Sequence, residues 1–261
     1  MKNIDEINFQ PLAIKSGTWR SVLGSYVHGW KLVVSVCIIL LDVGLLFVPL
    51  GFLFSISIIV VWITYISYVA NERKRAAWEL FAVSNGWEFD TLTEIGSIIP
   101  TSIQFGYNPI FSSVIQAVIG TIAFDLVEYT TNVGLGNYRK TYSYTIGMLS
   151  FPRSMPHVLL LNKKTKIDVA RDMSDGIPLK LEGDFDDYFS LEIERGQEVD
   201  VLQFITPDVM QKIIDYDQGL DIELIDQNIY FIAAHDQRDY SHLKTFIQSI
   251  VELSDQILRN S

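Results

Sequence analysis

One cysteine and four histidines stand among 261 residues, and no glycine-rich phosphate loop, nucleophile elbow or HExxH motif accompanies them. The lone Cys37 excludes an intramolecular disulfide, a four-cysteine zinc site and a paired-cysteine redox motif, and it agrees with a reducing cytoplasmic compartment. His28, His157, His235 and His242 are scattered. Only His235 and His242 lie close, with Asp236 and Asp239 between them, and nothing in their spacing fixes them as ligands. No cofactor site is legible, and none is expected. No segment repeats at a fixed period.

Basic residues are scarce too: 20 against 31 acids, for a net charge of -11. The shortfall is one-sided. Up to Arg75 the chain has seven basic and four acidic residues, a balance of +3, so everything after it carries -14. An acidic body of that size is repelled by nucleic-acid phosphate and by anionic headgroups, which argues against a nucleic-acid partner.

A third absence is of charge itself. Residues 32–70 contain a single charged side chain of either sign, Asp42. A span needs about 20 apolar residues, so this run is nearly two spans long. Pro49 and Gly51 interrupt it near its midpoint, which predicts a helical transmembrane hairpin with arms at about 32–48 and 52–70. A cleavable signal peptide fits poorly, because the run begins after residue 31 and exceeds an h-region of about 7–15 residues. Lys31 precedes the hairpin, and Arg73, Lys74 and Arg75 follow it. The positive-inside rule then puts both termini in the cytoplasm, in a two-pass protein of the inner (plasma) membrane.

Before the hairpin, residues 1–31 read as a cytoplasmic segment. Trp19, Val22, Leu23, Tyr26, Val27 and Trp30 recur there at helical spacing, an amphipathic stripe with a tryptophan at each end. Its reading is an interfacial helix anchored by Trp19, Trp30 and Lys31, favoured by the aromatic belt preference over a stripe packed on the cytoplasmic domain.

Asp42 has two open roles. An acid at a helix centre costs about 2.5–3.5 kcal/mol, which the surrounding leucines and isoleucines offset. In a hairpin turning near Leu50 it lies at the level of Ser57, with Ser55 nearby, so a protonated Asp42 can share hydrogen bonds with either hydroxyl or with another copy. Packing within a hairpin or oligomer is one role. Ion or proton chemistry in an oligomeric channel or transporter subunit is the other.

Residues 71–86 continue as a juxtamembrane helix, with Ala77, Leu80, Phe81 and Ser84 on one face and Asn85-Gly86 as its left-handed stop. Residues 87–261 then change period. "TIAFDLVEYT" and "YSYTIGML" alternate as strands joined across "GLGN". "HVLLLN", "IPLKLEG", "YFSLEIE", "DIELI" and "NIYFIAA" read as further strands, the last two joined across "DQN". Residues 96–124 are uncharged but broken by Pro100, Gln104, Asn108, Pro109 and Gln116, and so read as loop and strands rather than a third span. Two helices follow. One is capped at Thr206-Pro207 and buries Val209, Met210, Ile213 and Ile214; the other carries Leu243, Phe246, Ile247, Ile250, Val251 and Ile257. The fold class expected is α+β: a two-helix transmembrane hairpin followed by a mainly antiparallel sheet domain with packed helices.

The densest acidic cluster is "EGDFDDYFSLEIE". Asp184, Asp186 and Asp187 superficially match a calcium loop, without the glycine and terminal glutamate of an EF-hand, and a solvated turn is the better reading.

The pieces "FAVSNGWEF", "GTIAFDLVEYTTNVGLGNYRKTY", "FPRSMPHVLLLN", "LEGDFDDYFSLEIERGQ" and "LQFITPDVMQKIID" occur here in an order that resembles an uncharacterised bacterial family. Its members look like membrane-anchored proteins with an N-terminal transmembrane hairpin and a cytoplasmic domain of unknown function. The resemblance implies that architecture and inner-membrane placement, and brings no reaction, cofactor or catalytic residue. Together the features point to a non-enzymatic, membrane-anchored binding module whose partners are the lipid bilayer and a protein or a second copy through the hairpin. The channel using Asp42 is the alternative, and a metal-dependent enzyme using the acidic loop is third.

Overall fold

The computed structural model describes residues 4–13, 36, 51–90, 99–165, 176–181, 183–216, 219–234 and 240–259. The first hairpin arm apart from Val36, and the amphipathic stripe, with Trp19, Trp30, Lys31 and Asp42, lie outside them. A two-helix hairpin is therefore not shown. The chain divides into two compact units, Asn8–Phe81 and Met1–Ile7 with Ala82–Ser261.

The first unit contains a short α1 (Gln10–Ala13) and most of α2 (Gly51–Asn85), a continuous helix of 35 residues. Its start is apolar throughout, so no amphipathic face dominates. Ile56, Ile59, Val60, Val61, Ile63, Tyr65 and Tyr68 are all exposed around it. A narrow seam is buried instead: Ser55, Ile66 and Ala70, with Trp62 and Val69 packed beside Ile66 and Ala70. The Thr64 hydroxyl donates to the Val60 carbonyl at 2.8 Å, so a polar side chain on the exposed face is satisfied within the helix.

Asn85-Gly86 ends α2 as expected. Gly86 adopts φ 71°, its N–H donates to Val83 O at 3.0 Å, and Trp87 N–H donates to Ala82 O at 2.9 Å, a Schellman closure that needs a residue without Cβ strain. The expected face of 71–86 is corrected. Leu80 and Ser84 are exposed, and the buried set is Ala77, Trp78, Phe81, Ala82 and Asn85. At 100° per residue Trp78 and Ala82 continue that stripe, while Leu80 points away.

The second unit is built on a seven-stranded sheet with all described pairings antiparallel. The strands are β1 (Glu88–Asp90), β2 (Tyr107–Ile119), β3 (Ile122–Val133), β4 (Lys140–Asn162), β5 (Gly176–Pro178), β6 (Phe189–Glu194) and β7 (Leu220–Ala234). Their order is β1-β2-β3-β4-β6-β5, and β7 pairs with β4. Four helices complete the unit: α3 (Phe185–Tyr188), α4 (Glu198–Phe204), α5 (Pro207–Asp215) and α6 (Tyr240–Arg259).

Two pairs of expected strands are single strands. "YSYTIGML" and "HVLLLN" are the two halves of β4, and "DIELI" and "NIYFIAA" are the two halves of β7. Pro152 and Pro156, between the two halves of β4, fall where β4 and β7 shift register, between Ser150 and Val158, so the missing N–H groups interrupt no regular ladder. "DQN" is no hairpin turn either. Asp226 adopts φ 54° and bulges β7, and Ile225 and Tyr230, which an unbroken strand would point to opposite faces, pack against one core cluster. "IPLKLEG" shortens to β5, which ends at Pro178.

Both sheet faces are buried along the centre. On one side Val127, Tyr129, Tyr144, Ile146, Tyr230 and Ile232 meet Ile103 and Val114, with Tyr129 and Tyr144 stacked at 6.2 Å. On the other, α6 packs so closely on β4 that a Cβ on Gly147 would lie 2.3 Å from Ile250 Cδ1. The buried row of α6 is Leu243, Phe246, Ile247, Ile250, Leu253 and Ile257. Val251, expected in that row, is only half-buried at its edge, and Leu253 takes the place. The stripe of α5 is as expected, with Val209 and Ile213 buried and Met210 and Ile214 half-buried.

Candidate functional site

The most concentrated polar chemistry lies on β7. Alternation puts Leu220, Ile222 and Leu224 on one face and Asp221 and Glu223 on the other, and both acids are completely buried. Glu223 Oε2 accepts the Ser102 N–H at 3.0 Å. Its Oε1 accepts the Thr101 N–H at 3.0 Å, the Thr101 hydroxyl, and His157 Nε2 at 3.2 Å. Thr101–Ile103 is a 3-10 turn whose first N–H groups have no partner within it, and the Glu223 carboxylate supplies one from another strand. His157 is fixed in turn, its N–H donating to Gln197 Oε1 at 2.9 Å.

Burial pushes the Glu223 carboxyl up, but hydrogen bonds from His157, Ser102 and Thr101 outweigh it and hold the group below its ordinary 4.5. Tyr230 moves the other way. Burial first, then the negative charges of Glu223 and Asp226, raise its phenol to about 12. Asp221 does a related job at the strand's start. Its Oδ1 accepts the Asn162 N–H at 2.8 Å, closing the end of β4.

With donors on both oxygens and no solvent exposure, Glu223 can neither reach a diffusing substrate nor exchange protons quickly with one. The cluster is a clamp: it fastens residues 101–103 and His157 onto β7 through one charge. Nothing in "DIELI" singled it out in the sequence, since two acids at alternate positions read as a solvent face.

The expected site residues that are described lie on separate elements of the chain. Asp42 is outside the described residues, so its pairing with Ser55 or Ser57 is not on view; Ser55 is buried on α2 and Ser57 is exposed. Arg73 and Lys74 are half-buried and Arg75 is exposed, two turns before Ala82 on the same helix. Asp184 precedes α3, and Asp186 and Asp187 occupy its first turn around the buried Phe185. Asp186 Oδ1 accepts the Leu181 N–H at 3.4 Å, and its carbonyl accepts a bond from Lys163 Nζ. Among the described residues no group of three or more His, Cys, Asp or Glu side chains is placed to hold a metal ion. Through the bonds of Asp186 this part of the acidic loop is held as a hydrogen-bonded turn into β6.

The other candidate is α2. Within it Ser55–Asn85 is long and apolar enough to cross a membrane, the one such helix among the described residues. Its first 20 residues, 51–70, rise about 30 Å, the thickness of a bilayer's hydrocarbon core.

No protein-family model and no curated protein matches the chain. Among solved structures, the crystal structure of the mycobacterial trehalose monomycolate transport factor A, TtfA, overlays 73% of this chain and 95% of its own, at 12% identity and a TM-score of 0.46. A likeness of that size leaves the neighbour's role with the neighbour.

Proposed function

We propose that this protein is a two-pass membrane-anchored module whose α+β unit works in the cytoplasm as a binding domain. The observation that carries the reading is the exposed apolar belt of α2. Seven large apolar or aromatic side chains from Ile56 to Tyr68 face outward around the helix everywhere but along its buried seam, which is costly in water and stable in lipid. Asn71, Glu72, Arg73, Lys74 and Arg75 follow at once, where the helix would meet the cytoplasmic headgroups. The buried seam of Ser55, Ile66 and Ala70 supports a hairpin. Burial of one stripe of an otherwise exposed helix calls for a second segment along it, and small residues let helix backbones approach closely.

On this reading the acidic unit stands off the anionic membrane surface and presents itself to partners, and the Glu223 clamp keeps its sheet rigid. Alkaline extraction of membranes carrying the full chain tests the anchor. The protein is expected in the pellet, and an Ile59→Arg, Val61→Arg chain in the supernatant. Tags at the two termini, both cleaved only from the cytoplasmic side, are expected for two passes; opposite sides would leave a single pass. Recovery of the parent chain in the supernatant would remove the anchor altogether.

A further inference from the structure

We propose that the α+β unit associates with a second copy of itself head to tail, the β3–β4 tip of one chain seating on α4 of the next. Leu135 and Tyr138 at that tip are 80% and 87% exposed, and on α4 Val199 and Leu202 are 67% and 51% exposed. Each is a neighbouring pair of large apolar side chains turned outward in a unit whose other apolar residues are mostly inside. Their surroundings carry opposite charge. The tip is followed by the exposed Arg139 and Lys140, and the chain holds no acid anywhere from 129 to 167. Around α4 stand Glu194, Glu198 and Asp200 against Arg195 and Arg153, the latter 5.9 Å from the Phe204 ring centre, so acids still outnumber basic groups there.

Both patches are built rather than loose. At the tip, the Tyr107 hydroxyl donates to Gly134 O at 2.7 Å, Arg139 Nε donates to Asn132 Oδ1 at 3.0 Å, and the Arg139 guanidinium lies 5.8 Å from the Tyr107 ring centre. On α4, Val201 is buried and Phe204 meets Phe151 edge-on at 5.9 Å, which leaves Val199 and Leu202 outward on adjacent turns. Preorganised partners lose little freedom on docking. The two patches cannot meet within one chain. The tip abuts Lys140, whereas α4 sits against Phe151 and His157, further along β4; an extended strand from Lys140 to Phe151 spans about 35 Å. A patch and its complement at opposite ends of one molecule generate a heterologous contact, which extends into a row or closes into a ring. Confinement to a membrane raises the effective concentration for such a weak contact. The contact itself is written on the α+β unit and does not depend on the anchor.

The test uses full-length chain in a Cys37→Ser background, purified in detergent. Leu135→Cys protein is mixed with Val199→Cys protein and mildly oxidised. Cross-links between the two sites are expected in about tenfold excess over same-site dimers. Arg139→Glu with Lys140→Glu on the first chain should cut that yield about tenfold, and Glu198→Lys with Asp200→Lys on the second should restore it. Restoration by matched reversal shows that both altered chains still fold. Dominant same-site dimers, or a yield indifferent to either reversal, would overturn the proposal. So would quenching of a fluorophore on Leu135→Cys by brominated phosphatidylglycerol in vesicles, which would assign the tip to lipid.

Discussion

Val61 on α2 is 69% exposed and Glu223 on β7 is 0% exposed, the reverse of where an aqueous protein puts a valine and a glutamate. Each inversion has its own physical cause. On the proposed reading the α2 belt is outward because lipid is its solvent and the backbone groups along it are satisfied within the helix. Glu223 is inward because four donors replace its lost water, so its charge is cheaper to keep than to neutralise. Exposure alone therefore says nothing about misfit; what matters is which medium or which partners replace water.

The comparison breaks first at the helix. Two arginines at Ile59 and Val61 should cost about 5–7 kcal/mol of insertion on the scale for charges at a helix centre, enough to shift the chain from membrane to soluble fraction. A variant that stays membrane-bound in alkaline extraction would show that α2 is not what holds it there. Next comes the clamp. Glu223→Ala strands the buried Ser102 N–H and frees the part-buried Thr101 N–H, and a loss of about 3 kcal/mol is expected in denaturant unfolding of the full chain. Glu223→Gln should fall between, since its amide nitrogen faces donors.

How much of this was legible follows from the same contrast. The helix was readable because a run of apolar residues is a local property; "VANERKR" marks its exit and Asn85-Gly86 its end by chemistry within a few residues. Strand identity in "TIAFDLVEYT" was equally local, although alternation holds only as far as Leu126, after which both faces are covered. The continuity of β4 through Pro152 and Pro156 was not legible, because it depends on a register shift against β7, which is 70 residues away in the chain. The clamp was hidden for the same reason. Its members come from positions 101, 102, 157 and 223, and no spacing in the sequence relates them.

A smaller effect sharpens the packing side. Gly147→Val forces methyl groups into Ile250 on α6 and should cost about 1–3 kcal/mol by overpacking, read as a lower melting temperature, with Ile250→Ala partly restoring it. Smaller again is the pH dependence. Glu223 titrates lower when folded than when unfolded, so its contribution to stability is present above pH 4.5 and is lost as pH falls through the folded value. Glu223→Gln should flatten the acid limb of the stability curve; an unchanged limb would mean that the carboxylate is neutral in its buried site.

The account rests most heavily on the claim that α2 faces lipid. Single cysteines at Val61 and Thr121, an exposed residue on the β2–β3 turn outside both proposed contact patches, each in a Cys37→Ser background, can be labelled in intact inverted membrane vesicles with a membrane-impermeant maleimide. Labelling at Thr121→Cys without detergent, and at Val61→Cys only after detergent, is the result this account predicts. Equal labelling of the two without detergent would contradict it.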